Sequence, residues 1–460
     1  MAKCKTGLYR VRQLLANREI DCGIPAYLDN TAKVVEVQVS PTFNESINMI
    51  ENNVARKTLT RTANIAGLKA AELNFTAFAK GSGDASVEPA FGIFLEGSGF
   101  APTALEKLSL TSTTGTFVVD EIISGGTSLA MGRVRVLPKT NGFDLYIEPM
   151  SGTFTAAETI TGGVSGATAD ISVLATKGFA YDLVSEGFQN LTIRSEEDGV
   201  IYKEGNGMLG SFSLTGDNSS PASFDFTFNG RIGKYYRVTT DVPSSEPILA
   251  GDTISWTGGT GVVVADYETV TPNPYLIYTL STGTAIGNGD AVTSGSGKTF
   301  NSTGDSLRTI DTAPLTSGTA VDPTVPPIVQ CANFNANGFE PILQQFVLDV
   351  QNEVVVREDL NSCTGNQPAT ITGRTPQLTF NPEVFDVNDW DIYKSWCDGE
   401  LVTGFDLWVG TEEGNRIFIQ MDKVQVQSVA DGDRDGTAIF DVTANLISST
   451  PDGELSIYFL

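Results

Sequence analysis

The sequence contains no histidine, and this absence excludes several kinds of active site at once. A Ser-His-Asp triad, an activated cysteine–histidine pair and a histidine-ligated metal centre all need an imidazole. The glycine-rich runs 81–83 and 97–99 lack the Gly-Lys-Ser/Thr ending of a phosphate-binding loop. We therefore expect no enzymatic activity, no catalytic residue and no cofactor.

Positive charge is also scarce, because 29 Lys and Arg residues stand against 55 Asp and Glu residues, for a net charge of −26. A protein that grips DNA or RNA neutralises phosphates with basic side chains, so this balance argues against a nucleic-acid-binding surface. Only 18% of the residues are charged, below the roughly 25% of an average globular domain. Glycine, serine and threonine are abundant instead, so the composition predicts an all-β protein with a few short helices.

Long apolar runs and paired cysteines are missing as well. No stretch approaches the about 18 apolar residues of a membrane-spanning helix, and residues 1–25 hold no apolar run typical of a secretory signal. The five cysteines form no C-x-x-C pair, and an odd number in a long chain is not typical of a disulfide framework. We expect synthesis in a reducing cytoplasm and no membrane anchor.

One short pattern recurs far apart in the chain, at Asn64–Phe75 and at Ala369–Phe380. The shared positions are Ile65, Gly67, Leu73 and Phe75 in the first copy and Ile371, Gly373, Leu378 and Phe380 in the second. The preceding residues also match, with Asn52, Val54 and Arg56 against Asn352, Val354 and Arg357. Chance alternation in half-buried strands is the alternative explanation. The order of elements around both copies favours a duplicated domain in which each copy is a strand, a turn and a strand.

Two further repeats lie inside the first part of the chain. GTFVVDEIISGGTS, which starts at Gly115, aligns without a gap with GTFTAAETITGGVS, which starts at Gly152, so the repeating unit has 37 residues. A similar pair starts at Gly251 and Gly289, 38 residues apart. Each unit is too small to bury a core alone. Two units together predict a small β-barrel or sandwich, inserted into the first domain.

These repeats and a Pro- and Thr-rich stretch divide the chain into domains. The stretch that contains Pro323, Pro326 and Pro327 cannot pair as a central strand and indicates a linker. We predict an N-terminal arm (1–32), a first domain (33–102 with 177–239) that carries two inserted modules (103–176 and 240–305), a linker (306–337) and a second domain (338–460).

Local patterns predict three short helices and two long loops. The helices are expected at Val11–Asn17, within Glu88–Phe100 and at Asp389–Cys397. The polar segments Thr42–Arg61 and Val350–Pro368 are too long for tight turns. We expect extended arms or loops there, which are either contact surfaces or plain surface excursions.

Two patterns could mark ligand sites, and each has a plainer interpretation. Asp431, Asp433 and Asp435 alternate as in the opening of a calcium-binding EF-hand loop, but Val442 stands where that loop has glutamate. A solvated hairpin turn is the favoured interpretation, and calcium is the weaker alternative. The tryptophans could stack on sugars, but core packing is expected at their positions, which are Trp256, Trp390, Trp396 and Trp408.

Three segments together resemble the bacteriophage tail tube (major tail) proteins, namely Lys33–Pro41, Leu68–Phe100 with its Gly-Ser-Gly-Phe ending, and Asn190–Gly230. The resemblance implies that each tube-like domain is a β-sandwich flanked by a helix. It also implies that subunits close into rings whose inner strands form one continuous β-barrel, and that stacked rings form a hollow tube for DNA. A duplicated domain resembles the rarer members with trimeric, pseudo-sixfold rings.

The resemblance implies a structural virion protein of the viral tail that assembles with copies of itself and contacts other tail proteins at the tube ends. It would act in viral genome ejection through the host cell envelope, with an acidic lumen along which DNA slides without specific binding. Two other classes stay open: a different virion component, such as a tail-end ring or capsid decoration protein, and a secreted β-rich adhesin or carbohydrate-binding protein. A hexameric ring with the second domain outside its wall is the alternative to the trimer.

The two long polar segments are expected to join stacked rings, because they mix apolar with charged residues. The candidates for this contact are Phe43, Ile47, Met49, Ile50, Arg56, Val354, Arg357, Glu358 and Asp359. The inserted modules are expected on the outer wall, since a ring lumen has no space for them.

Overall fold

Strands make up most of the computed structural model of the protein, with 61% of residues in strands and 3% in helices. The structure describes the chain except for residues 1–11, 20–21, 23–24, 27–32, 36, 39–40, 53–62, 138–143, 198–200, 233–235, 242–247, 250, 268–274, 305–306, 309–323, 330–331 and 361–364. The all-β class predicted from composition is confirmed.

The strands of the first part of the chain are β1 (Arg12–Arg18), β2 (Lys33–Val35), β3 (Thr42–Ile50), β4 (Ile65–Phe78), β5 (Phe100–Thr114), β6 (Ile122–Gly125), β7 (Met131–Val136), β8 (Asp144–Ser151), β9 (Thr159–Gly162), β10 (Thr168–Leu183), β11 (Leu191–Glu197), β12 (Ile201–Asp217) and β13 (Ser223–Ile232). The remaining strands are β14 (Tyr236–Thr239), β15 (Thr253–Trp256), β16 (Gly259–Tyr267), β17 (Tyr275–Gly283), β18 (Ala291–Ser294), β19 (Thr299–Asn301), β20 (Leu307–Arg308), β21 (Asn333–Asn335), β22 (Leu343–Asp349), β23 (Asn352–Glu358), β24 (Asn366–Arg374), β25 (Gln377–Pro382), β26 (Val402–Val409), β27 (Ile417–Arg434), β28 (Thr437–Ile447) and β29 (Leu455–Phe459).

The described helices are both short. The first, α1 (Gly92–Glu96), lies within the helix predicted at Glu88–Phe100, and the second, α2 (Ile392–Asp398), overlaps the one predicted at Asp389–Cys397. The Asp391 carboxylate accepts a hydrogen bond from the Lys394 N–H at the start of α2, which is the usual role of aspartate at a helix N-terminus. No helix in the described ranges is long and apolar enough to cross a membrane.

The helix predicted at Val11–Asn17 is wrong over its described residues, which form strand β1. This strand pairs with β11 on one side and β2 on the other, and Leu14, Leu15 and Ala16 are buried. Pairing on both edges satisfies the backbone within a sheet, so tertiary context overrides local helix preference here.

The described residues of the two long segments lie mostly in strands, so a loop is wrong for them, whereas extended arms were the other expectation for such segments. Thr42–Ile50 is β3 and pairs with β4. The second segment contains β23 and the start of β24, which pair with each other. Their polar composition reflects strands that stand largely in solvent at their outer ends. We call β3–β4 the first arm and β23–β24 the second arm.

The first inserted module is a closed six-stranded barrel. Around it, β5 pairs with β8, β8 with β7, β7 with β6, β6 with β9, β9 with β10, and β10 with β5. Its interior is a separate hydrophobic cluster that includes Leu108, Ile123, Leu145 and Ile160. The 37-residue repeat predicted a small barrel or sandwich, and the structure shows the barrel.

The second inserted module is a seven-stranded sheet in the order β19-β18-β15-β16-β17-β14-β20. A single bridge between Thr240 and Ser302 brings the β19 end towards β14. Its own core packs Trp256 edge-on against Tyr278, with ring centroids 5.6 Å apart. The module therefore repeats the strand order of the barrel in a more open form.

Each 37-residue unit of the barrel has one buried glutamate at the same position, and its hydrogen bonds link the two units. Glu158 accepts hydrogen bonds from the Ser128 N–H, at 2.9 Å, and from the Thr155 N–H of its own unit, at 2.6 Å. Glu121 does the same with the Ser165 N–H of the other unit, at 2.9 Å. Each unit thus supplies the carboxylate that satisfies the Gly-Gly turn of its neighbour.

Removal of one of these carboxylates should weaken the barrel. Glu158→Ala leaves several N–H donors without an acceptor, and each such loss costs about 1–3 kcal/mol, so we expect a loss of about 2–4 kcal/mol in the free energy of unfolding. Urea unfolding, followed by amide exchange within residues 100–183, measures it. Glu186→Ala, at an exposed glutamate, is the control and should change little. Equal stability of the two variants would contradict the role of Glu158.

The same pair should make the barrel sensitive to acid. Burial raises the pKa of Glu121 and Glu158, but hydrogen bonds from backbone N–H groups outweigh it, so both pKa values lie below the ordinary range. A depressed folded-state pKa gives stability above the unfolded pKa of about 4.3, which is lost as pH falls through the folded value. The stability difference between the native chain and the Glu121→Gln, Glu158→Gln variant should therefore be constant near neutral pH and shrink in acid. A difference that grows in acid would refute this.

Candidate assembly interface

Both halves of the chain contribute four strands to one continuous sheet. We call β1–β4 with β11–β13 the first half and β21–β29 the second half. The run is β3-β4-β13-β12 from the first half and β22-β25-β28-β27 from the second. The halves join where Ser213–Asp217 of β12 pairs antiparallel with Gln345–Asp349 of β22. The core is also shared, since Phe91 of the first half and Phe459 of the second have ring centroids 5.4 Å apart.

The two halves correspond strand by strand. Phe75 on β4 lies opposite Phe226 on β13, which lies opposite Phe212 on β12. Its counterpart, Phe380 on β25, lies opposite Val442 on β28, which lies opposite Val429 on β27. The recurring sequence pattern therefore marks equivalent positions in two equivalent four-stranded units, and Val429 corresponds to Phe212.

The correspondence differs in detail from the one expected from sequence. The first copy, Ile65–Phe75, lies within one unbroken strand, whereas the second is divided between β24 and β25. Ile65 pairs with Ile50 and Ile371 pairs with Val354, so Ile50 corresponds to Val354. By this register Ile50 takes the place that the sequence pattern gave to Val54, which lies outside the described residues.

The sheet ends in two strand edges, those of β27 and β3. They correspond to the edges of β12 and β22 that pair at the junction. Phe212 accepts a hydrogen bond from the Val350 N–H at the junction, so its backbone faces β22. By correspondence Val429, Asp431 and Asp433 present the outer edge of β27, and β28 takes the other edge. Among the described strands, none pairs with this outer edge beyond Gln427. At the opposite end of the sheet, β3 pairs only with β4 among them.

The outer end of the first arm presents apolar side chains to solvent. Ile47, Met49, Ile50 and Ile65 are exposed, with Ile65 at 55%. Ile50 and Ile65 are directly opposite each other on neighbouring strands, so their exposed side chains form an apolar pair of the kind that marks an interaction surface. Phe43, at the base of the same arm, is 3% exposed in the core, so its side chain is not available for contact between subunits.

The second arm, in contrast, lies on the first half. Asn352 donates from its Nδ2 to the carbonyl oxygens of Ser98, at 2.6 Å, and Gly210, at 3.0 Å. Asn366 donates from Nδ2 to the Lys69 oxygen at 2.8 Å. Arg374 donates to the Val184 oxygen at 2.9 Å and forms an ion pair with Asp452.

The remaining ring-stacking candidates of the second arm lie towards its tip. Val354 is half-buried, whereas Arg357 and Glu358 are exposed. The Asp359 N–H donates to the Gly365 oxygen at 2.9 Å near the turn, and its carboxylate accepts from the Gln367 amide. Arg56 lies outside the described residues. The predicted stacking role of these candidates stays a prediction.

The surface around α2 is the other exposed apolar area near a sheet edge. All five residues of α1 are buried, but in α2 only Ile392 and Ser395 are buried. Trp396 is 40% exposed, so core packing is wrong for this tryptophan, and Leu401 is 49% exposed. The Trp396 Nε1–H donates to the Gln427 oxygen at 2.8 Å, which fixes the ring beside the free edge of β27.

The aspartate pattern forms a hairpin turn. Arg434 pairs with Thr437, and Asp435 and Gly436 between them have φ of 54° and 86°, as a two-residue turn requires. The Asp431 carboxylate accepts from the Tyr393 hydroxyl at 2.7 Å, which raises the pKa of that tyrosine. Within the described residues no group of three His, Cys, Asp or Glu side chains could hold a metal ion.

One further sequence pattern resembles part of a phosphate-binding loop but forms no phosphate site. Gly297-Lys298-Thr299 has the ending of a phosphate-binding loop, but it lies at the turn between β18 and β19 and no helix follows it. Aliphatic residues within a polar segment are the sequence pattern that indicates the first arm. The free edge of β27 follows only from strand pairing in the folded chain.

No model of a protein family matches this chain, and no curated protein sequence is detectably similar to it. The geometry that bears on function is therefore the chain's own: a junction between equivalent halves, two corresponding free edges and two exposed apolar surfaces beside them.

Proposed function

We propose that this protein is a structural subunit that joins head to tail with copies of itself into rings, and that the rings stack into a phage tail tube through which DNA is ejected. The observation that carries the proposal is the β12–β22 junction. It joins two equivalent units edge to edge, and the same two kinds of edge recur, without a strand partner in the described chain, at the ends of the sheet.

Exposed strand edges favour association of copies. An edge presents a row of N–H and C=O groups that readily pairs with another strand. Joining β27 of one copy to β3 of the next repeats the geometry of β12 with β22, and a head-to-tail contact of this kind either closes into a ring or grows as a helix. Closure removes all the edges, which is the stable outcome.

Three chains per ring is the stoichiometry that we propose. Each chain contributes two equivalent four-stranded units to one sheet, so three chains give six units with pseudo-sixfold symmetry. A hexameric ring with the second half outside its wall remains the alternative. It is disfavoured by the pairing of β22 with β12, which holds both halves in the same sheet.

The charge of the chain supports a conduit rather than a binding site. With a net charge of −26, the wall of a ring repels phosphates, so DNA can slide along it without being held. No enzymatic step is part of the proposal. The inserted modules would face outward in the virion, since both have closed or nearly closed cores of their own.

Electron microscopy of the purified protein tests self-assembly directly, with long hollow tubes as the expected result. Asp431→Pro should prevent them, because it removes a backbone donor from the outer edge of β27 while leaving the pairing with β28 intact. Asp431→Ala keeps the donor and is the matched control, which should assemble.

Closed rings that never stack would favour a tail-end ring. Monomers of the native chain would refute the proposal, and binding to a glycan array would then favour the adhesin class.

The stoichiometry has its own test. Averaged end-on views of rings should show three copies of each inserted module around the axis, and six similar inner units. Mass measurement of rings released from tubes provides an independent count of chains. Six complete chains around the axis would contradict the trimer.

A further inference from the structure

The second arm shows how an arm is received by a four-stranded unit. The Asn352 N–H donates to the Ser211 Oγ at 3.0 Å, and Ile371 lies directly over Gly99. A Cβ built on Gly99 would be 3.1 Å from the Ile371 Cδ1. The receiving surface is therefore β12 together with the turn that follows α1.

An equivalent surface exists on the second half. The Gly97 N–H donates to the Ile93 oxygen at the end of α1, and the Gly399 N–H donates to the Ser395 oxygen at the end of α2. Both glycines directly follow their helix, so the turn after α2, which carries Leu401, corresponds to the turn after α1, which carries Gly99. The strand beside it is β27 in place of β12.

An equivalent arm also exists, because Ile65 and Ile50 of the first arm correspond to Ile371 and Val354 of the second. Ile371 is half-buried at its contact, whereas Ile65 is 55% exposed, and Leu401 on the equivalent receiving surface is 49% exposed. Arm and surface are thus both uncovered in the same chain, so the first arm does not reach its own α2.

We propose that the first arm of one copy docks on the α2 face of a second copy of this chain, with Ile65 against Leu401 and Trp396. The contact repeats the one between Ile371 and Gly99, and it rests on the proposed head-to-tail assembly. It assigns Ile50 and Ile65 to a contact within a ring rather than between stacked rings.

The position of the two surfaces supports a second copy as the occupant. The α2 face adjoins the free edge of β27, to which Trp396 is hydrogen-bonded through Gln427. The first arm is continuous with the free edge of β3. One head-to-tail placement therefore brings both pairs together, just as the β12–β22 junction and the second arm occur together within the chain.

Cross-linking between two differently tagged, co-expressed chains tests the contact. One chain carries Ile65→Cys and the other Leu401→Cys, both with the native cysteines replaced by serine because Cys22 and Cys397 are exposed. A short bis-maleimide should then join the two tags in one covalent dimer, at a yield several-fold above that of either single variant. Val164→Cys, at an 80% exposed barrel position, replaces Ile65→Cys as the matched control and should give only the background yield.

The outcomes separate this inference from the function on which it rests. Specific cross-linking of positions 65 and 401 supports the docking. Background yield in samples that contain tubes overturns the docking and leaves the tube proposal standing, whereas background yield together with monomeric protein overturns both. As an independent measurement, Leu401→Arg should leave the thermal unfolding of the single chain unchanged and prevent assembly, and normal assembly of this variant would contradict the docking.

Discussion

The antiparallel pairing of β12 with β22 is the contact on which the rest of the structure depends. Without it, the chain would contain two separate four-stranded units, each with exposed edges. The pairing unites them into one sheet and one shared core, in which residues from both halves pack together. It also moves the remaining edges to the two ends of that sheet. The sheet therefore still ends in the same two kinds of edge, and under the proposed assembly each of them pairs with a further copy.

Divergence between the two halves follows from this arrangement. Gly99 is glycine because Ile371 approaches it closely and because its φ of 84° is strained for other residues. Leu401, in the corresponding turn after α2, is 49% exposed. In the same way α1 is wholly buried, whereas α2 keeps Trp396 partly in solvent. The helix and turn that are covered within the chain in the first half are thus partly exposed in the second.

The sequence alone predicts the parts of the fold whose signal is local. Alternating strands, the short helices and the closed barrel follow from periodicity and from a gap-free repeat. Val11–Asn17 fails because helix preference is local, while β1 is held by pairing with β2 and β11. The prediction of loops at the two arms is wrong for a different reason. The outer ends of these strands are exposed to solvent, so their sequences are polar and resemble those of loops. The free edge of β27 could not be predicted, because strand neighbours in the folded sheet cannot be read from the local sequence.

The barrel explains how an insertion can coexist with such a sheet. An inserted unit with open edges would compete with β3 and β27 for strand partners, and would favour irregular aggregates over rings. The closed barrel has no edges, and the crossed bonds of Glu121 and Glu158 fix its two units to each other. It joins the rest of the chain through β5 and β10, and β10 begins in the barrel and then pairs with β29 at Phe179–Asp182, near its C-terminal end. The barrel therefore adds mass to the chain without adding an edge that competes with the two ends of the shared sheet.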